Sequence, residues 1–539
     1  MQYFYAVMLF LGGIGAFLVG CNLLSDAIKT LANNKIRNLL NKTSKSKVVS
    51  CGIGAIVTAA VQSSSVTTVM IVGLVNSGMM SLYQATAVIM GANIGTTITA
   101  QIAALQAFDL AKIAIGLAGL GVFINIFSKS DGVKSTGNIF TAIGLVFLGL
   151  ETMSGAMSIV KESQTVVNLL ASLENPLLLF VIGALFTALI QSSSAMTTIV
   201  ISMVGAGMVI GGGGNAVLFI ILGSNVGTCV TALISSLGAG ANAKRASLIH
   251  LLFNVFGSLI FFIILLIWKS FTATVLGTLF SEPSTQIAMF HTIFNVVCTI
   301  LFIPFTKVFV KVSERIIKDK KKSVRKTYLD ERLLQTPAVA ISAAYREVEF
   351  LLTEAVDALE TAVTGFTSSS TAFAKTVYEK TALIGEVEKE MTGYLTKVSA
   401  NSLSIKESEK ISALHSNLSD IARVGELAEN VTKHTKKSVD GNLIFSDTVI
   451  KEIFVMMSKI KDLSKYTGII ISTGKLDTLP TVESLEEEVD AMRKKLIKDH
   501  LDRLNKGECR AESSGVFINL VSNLERSADH IDYVAHSVN

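Results

Sequence analysis

"TAAVQSSSVTTVM", residues 58–70, places a Gln and three consecutive Ser in an apolar stretch, and "TALIQSSSAMTTIV" at 187–200 does so again. No charged residue lies between Lys47 and Asp109, or between Glu174 and Lys244. Polar side chains at membrane depth are costly unless they are hydrogen-bonded or line a site. An isolated Thr such as Thr86 or Thr141 is accounted for as helix–helix glue, its hydroxyl bonding a backbone carbonyl one turn back or across helices. Three consecutive hydroxyls point in three directions and suit a bend or a helix start with a site around it.

The surroundings repeat as well. "FLVGCNLLSDAI" (17–28) matches "VFLGLETMSGAM" (146–157), and "MGANIGTTITAQI" (90–102) matches "LGSNVGTCVTALI" (222–234), in the same order along the chain. The second copy carries a short insertion around "GGGG" (211–214). "HLLFN" (250–254) and "HTIFN" (291–295) also echo each other, and a structural role is expected for them.

The chain has 539 residues, of which 50% are hydrophobic and 17% charged, with a net charge of +5. Charge is rare over residues 1–312 and dense after them, so a membrane part and a soluble part are expected. A full span needs about 20 apolar residues. The expected spans are 4–24, 83–106, 111–128, 137–157, 214–236, 245–268 and 285–311. The N-terminal apolar run lacks a basic leader and reads as a first span rather than a cleaved signal. Residues 48–79 and 175–210 each read as two shorter pieces meeting at the Gln-Ser-Ser-Ser, either as two spans or as a re-entrant hairpin.

Lys and Arg mark the cytoplasmic side. The basic clusters at 29–47 and 307–326 are therefore placed inside. With two hairpins, only Lys112, Lys161 and Lys269 then fall outside. That topology inverts the second repeat relative to the first. Inverted repeats with broken helices characterise secondary transporters, whose sites lie near the midplane. The five Cys show no disulfide or zinc spacing and are expected to be small buried hydrophobes.

Such a site has a definite chemistry. A helix beginning at Ser64 or Ser65 aims free N–H groups at an anion, and its hydroxyls add donors. The inverted copy does so from the other side, so an oxyanion is held without permanent positive charge. Carbonyls of broken helix ends, the Gln62 and Gln191 side-chain oxygens, and Asn and Thr oxygens suit Na⁺, a hard cation. Asn93, Thr96, Asn225 and Thr228, in the Gly-flanked stretches 91–97 and 223–229, could complete the cation shells. Proton coupling would use buried carboxylates or His. Glu151 and Asp26 are expected near span ends and His250 and His291 near helix ends, which favours Na⁺ over H⁺.

The paired QSSS motifs in inverted halves resemble the type II sodium/phosphate cotransporter family in its bacterial branch, over roughly residues 1–312. The resemblance implies Na⁺-coupled movement of inorganic phosphate, with the QSSS hairpins forming the substrate and Na⁺ region. It points to Gln62, Ser63, Ser64, Ser65, Gln191, Ser192, Ser193 and Ser194, and more weakly to Thr67, Thr68, Thr197 and Thr198. It leaves the direction open, since some bacterial members look like exporters. Na⁺ is the coupling ion; no other cofactor is expected.

Beyond 312, a basic linker (313–335, with Lys320, Lys321 and Lys322) leads to a helical pattern. Leu383, Val387, Met391, Leu395 and Val398 share one helical face, as do Leu485, Val489, Met492 and Leu496. A bundle of about six helices is expected. "ARVGELAENV" (422–431) and "ERSADHIDYV" (525–534) resemble the repeated acidic motif of the phosphate-signalling regulator PhoU. That resemblance makes Glu525 and Asp529 candidate metal ligands, although the first copy has Ala422 and Glu426 where the pattern wants Glu and Asp. A solvated charged face is the simpler expectation.

The expected architecture is all-α. Two membrane repeats (1–135 and 136–312) with QSSS hairpins precede the linker and a cytoplasmic PhoU-like bundle (336–539). The expected activity is Na⁺/phosphate symport in a prokaryotic plasma membrane. The alternatives are a phosphate exporter of the same fold and a phosphate-responsive signalling protein. Phosphate, Na⁺ and the lipid bilayer are the expected partners, with no nucleic acid. The oligomeric state stays open, a homodimer included. No phosphate loop, nucleophile elbow or metal triad marks an enzyme.

Overall fold

The computed structural model describes residues 1–41, 46–108, 110–318, 327–401, 403–507 and 509–538. Lys320, Lys321 and Lys322, and the side chains of residues 29–45, lie outside what it describes. The described residues are helical throughout, with no strand. They form two compact units, Met1–Lys326 and Thr327–Asn539.

The first unit opens with the long helix α1 (Gln2–Asn41), the hairpin α2 (Lys47–Val61) and α3 (Ser64–Asn76), and the broken pair α4 (Leu82–Gly95) and α5 (Thr97–Ala104). Next comes α6 (Leu110–Phe127). The order then recurs: α7 (Asp131–Lys161), a short α8 (Gln164–Ala171), the hairpin α9 (Pro176–Ile190) and α10 (Ser193–Gly205), and the broken pair α11 (Ala216–Gly227) and α12 (Cys229–Ser235). The unit ends with α13 (Ala241–Ile267), a brief α14 (Gly277–Leu279), α15 (Pro283–Phe302) and α16 (Thr306–Ile316).

Among the described residues six stretches are long and apolar enough to cross a membrane: Gln2–Ile28, Leu82–Ala104, Gly132–Lys161, Ala216–Ser235, Ala241–Ile267 and Pro283–Ile316; Gln164–Ala171 and Pro176–Ile190 qualify only together, as a pair bent by 108°. Six of the seven expected spans fall on these. The seventh, 111–128, is α6, whose described apolar part is shorter, Lys112–Phe127. The two QSSS regions are pairs of short apolar helices.

Glycine sets the packing of both copies. A methyl at Gly54 would strike the Val88 carbonyl, and one at Gly91 the Cys51 carbonyl, so α2 and α4 touch backbone to backbone. Gly183 against Ile220 and Gly223 against Phe180 reproduce this contact between α9 and α11. No larger residue fits such a crossing. The repeats also meet each other. Gly13 of α1 lies against Gly149 and Met153 of α7, whereas Gly20 lies against Ala142 and Val146. Partner numbers fall as the first rise, so these two equivalent helices pack antiparallel.

The second unit is a bundle of six long helices: α17 (Pro337–Thr367), α18 (Ala374–Ser399), α19 (Ile405–Asp440), α20 (Asp447–Thr473), α21 (Leu479–Asn505) and α22 (Ala511–His536). Val387, Met391, Leu395 and Val398 are buried on α18, joined by Ile384, while Leu383 is only half-buried. Ser404 and Glu407 form a reciprocal cap at the start of α19, which gives acceptors to two N–H donors that a helix start leaves unpaired.

Candidate functional site

The two QSSS runs adopt one conformation. Gln62 ends α2 in the left-handed region (φ 55°, ψ 21°), and Gln191 ends α9 the same way (φ 58°, ψ 25°). Among the described residues only Ser369 and Asn442 are other non-glycine positions with positive φ. Left-handed backbone is unfavourable for a residue bearing a Cβ and persists where the surrounding structure enforces it. Ser63 and Ser192 are then extended, and their hydroxyls cap the N–H groups of Val66 and Ala195, each at 3.2 Å. Helices α3 and α10 start at Ser64 and Ser193.

That geometry divides the first-turn donors. Thr67 N–H reaches the Ser63 carbonyl and Val66 N–H the Ser63 hydroxyl. The N–H groups of Ser64 and Ser65 find no acceptor among the described residues, and those of Ser193 and Ser194 likewise. Ser64 and Ser193 are each only 4% exposed. Each hairpin therefore presents two amides unpaired among the described residues, and a Ser that is nearly buried, at a positive helix end.

The two tips meet. The Ser65 hydroxyl donates to the Gln191 carbonyl at 3.3 Å, and Ser194 and Thr96 hydroxyls lie 3.3 Å apart. Thr228, the equivalent of Thr96, has no partner for its buried hydroxyl among the described residues. Gln62 is half-buried while Gln191 is exposed. The site thus combines a symmetric backbone with asymmetric closure. In register, Thr68 matches Thr197, but Thr67 falls opposite Met196, and Thr198 opposite Val69. Thr67 bonds the Ser63 carbonyl at 3.0 Å. Thr68, Thr197 and Thr198 are fully buried, their hydroxyls unpaired among the described residues, as are those of Thr58 and Thr187 one turn before each Gln.

Asn93 and Asn225 are 4% exposed, each one turn before the Thr at the helix break. Their neighbours are the two histidines. His250 Nε2 lies 3.3 Å from Asn93 Oδ1, and His291 Nε2 lies 3.1 Å from Asn225 Oδ1. This corrects the expectation that both His sit near helix ends. Each lies well inside α13 or α15 and is fully buried. Glu151 likewise sits inside α7 rather than at its end, with an exposed side chain.

The echo between 250–254 and 291–295 is the trace of the same symmetry. Asn254 and Asn295 donate to the carbonyls of His250 and His291, each at 2.9 Å. One turn further, Ser258 donates to the Leu222 carbonyl and Thr299 to the Met90 carbonyl. So α13 and α15 each tie to both broken pairs.

In the bundle, Glu525 forms an ion pair with Arg493, its carboxylate 3.0 Å from Nε. Burial, with the neighbouring carboxylates of Asp529, Asp532 and Asp490, pushes the pKa of Glu486 up; burial is also the leading cause of raised values at Asp529 and Asp532. Among the described residues no group of three or more His, Cys, Asp or Glu is arranged to hold a metal ion. Cys51, Cys229 and Cys298 are buried and free.

The Na+/Pi-cotransporter family model matches residues 16–155 and again 156–301. The PhoU domain model matches residues 454–538. The "Putative inorganic phosphate export protein YjbB" of Salmonella typhimurium is 23% identical over 537 residues, covering 98% of this chain and 96% of that protein. The "Uncharacterized protein YqeW" of Bacillus subtilis is 29% identical over 56% of this chain and 95% of its own. The rat "Sodium-dependent phosphate transport protein 2A" is 32% identical over 28% of this chain and 25% of its own. No solved structure matches.

Proposed function

Because the chain belongs to the Na+/Pi-cotransporter family, we propose that it carries inorganic phosphate across a prokaryotic plasma membrane, coupled to Na⁺. The observation that carries this reading is the meeting of the two QSSS tips, each with two N–H groups unpaired among the described residues and a nearly buried Ser. Amides at helix starts favour an anion, and hydroxyl donors match the oxygens of phosphate. Phosphate is held there by Ser64, Ser65, Ser193 and Ser194. Na⁺ is held by the oxygens around it: the Gln62 and Gln191 side chains, Thr68, Thr197, Thr198, Thr228, and the carbonyls at the helix breaks. Ser63 and Ser192 shape the turn.

The C-terminal bundle is the regulator in this reading and faces the cytoplasm, consistent with the positive-inside placement of the basic residues between the units. A second reading reverses the direction. The Salmonella relative, matched over nearly the whole chain, carries an export name. Family membership supports a carrier rather than an enzyme.

The test is [³²P]phosphate flux in proteoliposomes of known protein orientation. A Na⁺ gradient is imposed inward or outward, with an equal K⁺ gradient as control. Flux that follows the Na⁺ gradient supports coupled transport. Phosphate flux indifferent to Na⁺ removes the coupling. No flux with either ion removes the carrier reading.

A further inference from the structure

Beyond the QSSS tips, the least expected feature of the unit is a pair of fully buried histidines facing the two Asn of the broken helices. The second copy fixes the chemistry. Asn225 Nδ2 donates to the Ile221 carbonyl at 2.9 Å. Its other amide atom, turned to His291, is therefore the oxygen. An oxygen only accepts, so His291 Nε2 carries the proton and donates. The Nδ1 atoms of both His are buried without a partner among the described residues, as fits rings whose proton sits on Nε2.

The first copy differs in one respect. His250 Nε2 faces Asn93 Oδ1 in the same way, but Asn93 Nδ2 has no acceptor among the described residues, although it is buried. A buried N–H₂ left unpaired is expensive. Asn93 and Thr96 are three residues apart and share a helix face, and Thr96 touches Ser194 at the second QSSS tip.

We infer that His250 is a positioning residue of the transport site: by holding the Asn93 carbonyl oxygen, it turns the Asn93 amide N–H₂ into a donor for the transported oxyanion. This rests on the phosphate reading above and assigns Asn93 to the anion rather than to the cation. Asn225, which already gives one N–H to the Ile221 carbonyl, is not assigned this role. The two copies have diverged: one amide closes on its own helix, and the other stays available.

The test uses the full chain in proteoliposomes, with initial rates of [³²P]phosphate flux measured against phosphate and, separately, against Na⁺. Asn93→Asp is nearly isosteric and replaces the donor with an anionic oxygen. It is expected to raise the phosphate KM about tenfold or more, the scale of a lost hydrogen bond to a charged group, with the Na⁺ half-saturation unchanged. His250→Leu is expected to shift phosphate KM in the same direction. His250→Gln, whose side-chain N–H₂ can still donate, restores it. Melting temperature and monodispersity in detergent accompany every variant, and Asn93→Ser replaces Asn93→Asp if the latter does not fold.

An unchanged phosphate KM in the Asn93 variant, or a shift in Na⁺ half-saturation alone, overturns the assignment while the carrier reading stands. Failure of His250→Gln to restore what His250→Leu loses overturns the positioning role. Absence of phosphate flux in the wild type brings down the carrier reading and this inference with it.

Discussion

The hydroxyl of Ser65 in the first hairpin donates to the backbone carbonyl of Gln191 in the second, 126 residues away, at 3.3 Å. That bond spans the two tips, and its mirror image is not made among the described residues. Losing a single neutral hydrogen bond typically costs about 0.5–1.5 kcal/mol. Ser65→Ala is therefore expected to reduce phosphate kcat/KM by roughly two- to tenfold. The same change at Ser194, which meets Thr96 instead, is expected to fall in the same range. Initial-rate flux measurements on the two variants check this. An Ala at Ser65 without effect would mean that the tips do not act together.

The glycine crossings make a stability prediction. Gly91→Ala and Gly223→Ala push a methyl into the backbone carbonyls of Cys51 and Phe180. Neither carbonyl can move without its helix, so each change is expected to cost ~1–3 kcal/mol. Gly52, on the same helix as Cys51, has open space beside it. Gly52→Ala should leave the melting temperature in detergent unchanged or slightly raised. Equal behaviour of the three variants would contradict the close crossing.

Asn215 follows the glycine run at 211–214 and anchors it. It donates to the carbonyls of Leu265 and Trp268 at 2.9 and 2.8 Å, and accepts from Thr272 N–H and Oγ1 at 3.0 and 2.9 Å. Asn215→Ala strands these groups in a buried place and is expected to destabilise the unit by ~2–4 kcal/mol. A thermal shift assay reads it; a loss under 1 °C would show that the four bonds contribute little.

Asp529 gives the pH dependence of the bundle. Burial raises the pKa values of Glu486, Glu525, Asp529 and Asp532, so these groups hold protons more readily in the fold than in the unfolded chain. The sign follows: their contribution is least unfavourable at low pH, and stability falls as pH rises from the unfolded value through the raised one. Asp529→Asn removes one of these charges. It is expected to raise the bundle's melting temperature near pH 7 by about 2–4 °C, the shift that ~1 kcal/mol gives in a domain of this size, and to flatten the acid-side slope. A lowered melting temperature would contradict the burial argument.

Much of this was legible in the sequence. The QSSS pair announced itself because polar residues in an uncharged apolar stretch need a structural reason. A helix start at Ser64 or Ser65 followed from the same argument, and the structure begins the two helices at Ser64 and Ser193. The apolar faces of the bundle were legible through their helical period, with Ile384 rather than Leu383 taking the inner position because the face drifts over several turns. The left-handed Gln62 and Gln191 were not legible, since nothing in their identity marks positive φ. The depth of His250 and His291 was missed because a single His gives no sign of its rotation about a helix. Their echo at a spacing of 41 residues was visible, but its meaning depends on contacts with Asn93 and Asn225 that are distant in sequence.

The central claim is that the two QSSS tips build a single phosphate site. Equilibrium binding of [³²P]phosphate to the purified full chain, with and without Na⁺, tests it most directly in the wild type, Ser64→Ala and Ser193→Ala. The account predicts one Na⁺-dependent site per chain, weakened about tenfold or more by either substitution. Two independent sites, each lost with its own serine while the other binds normally, would contradict it.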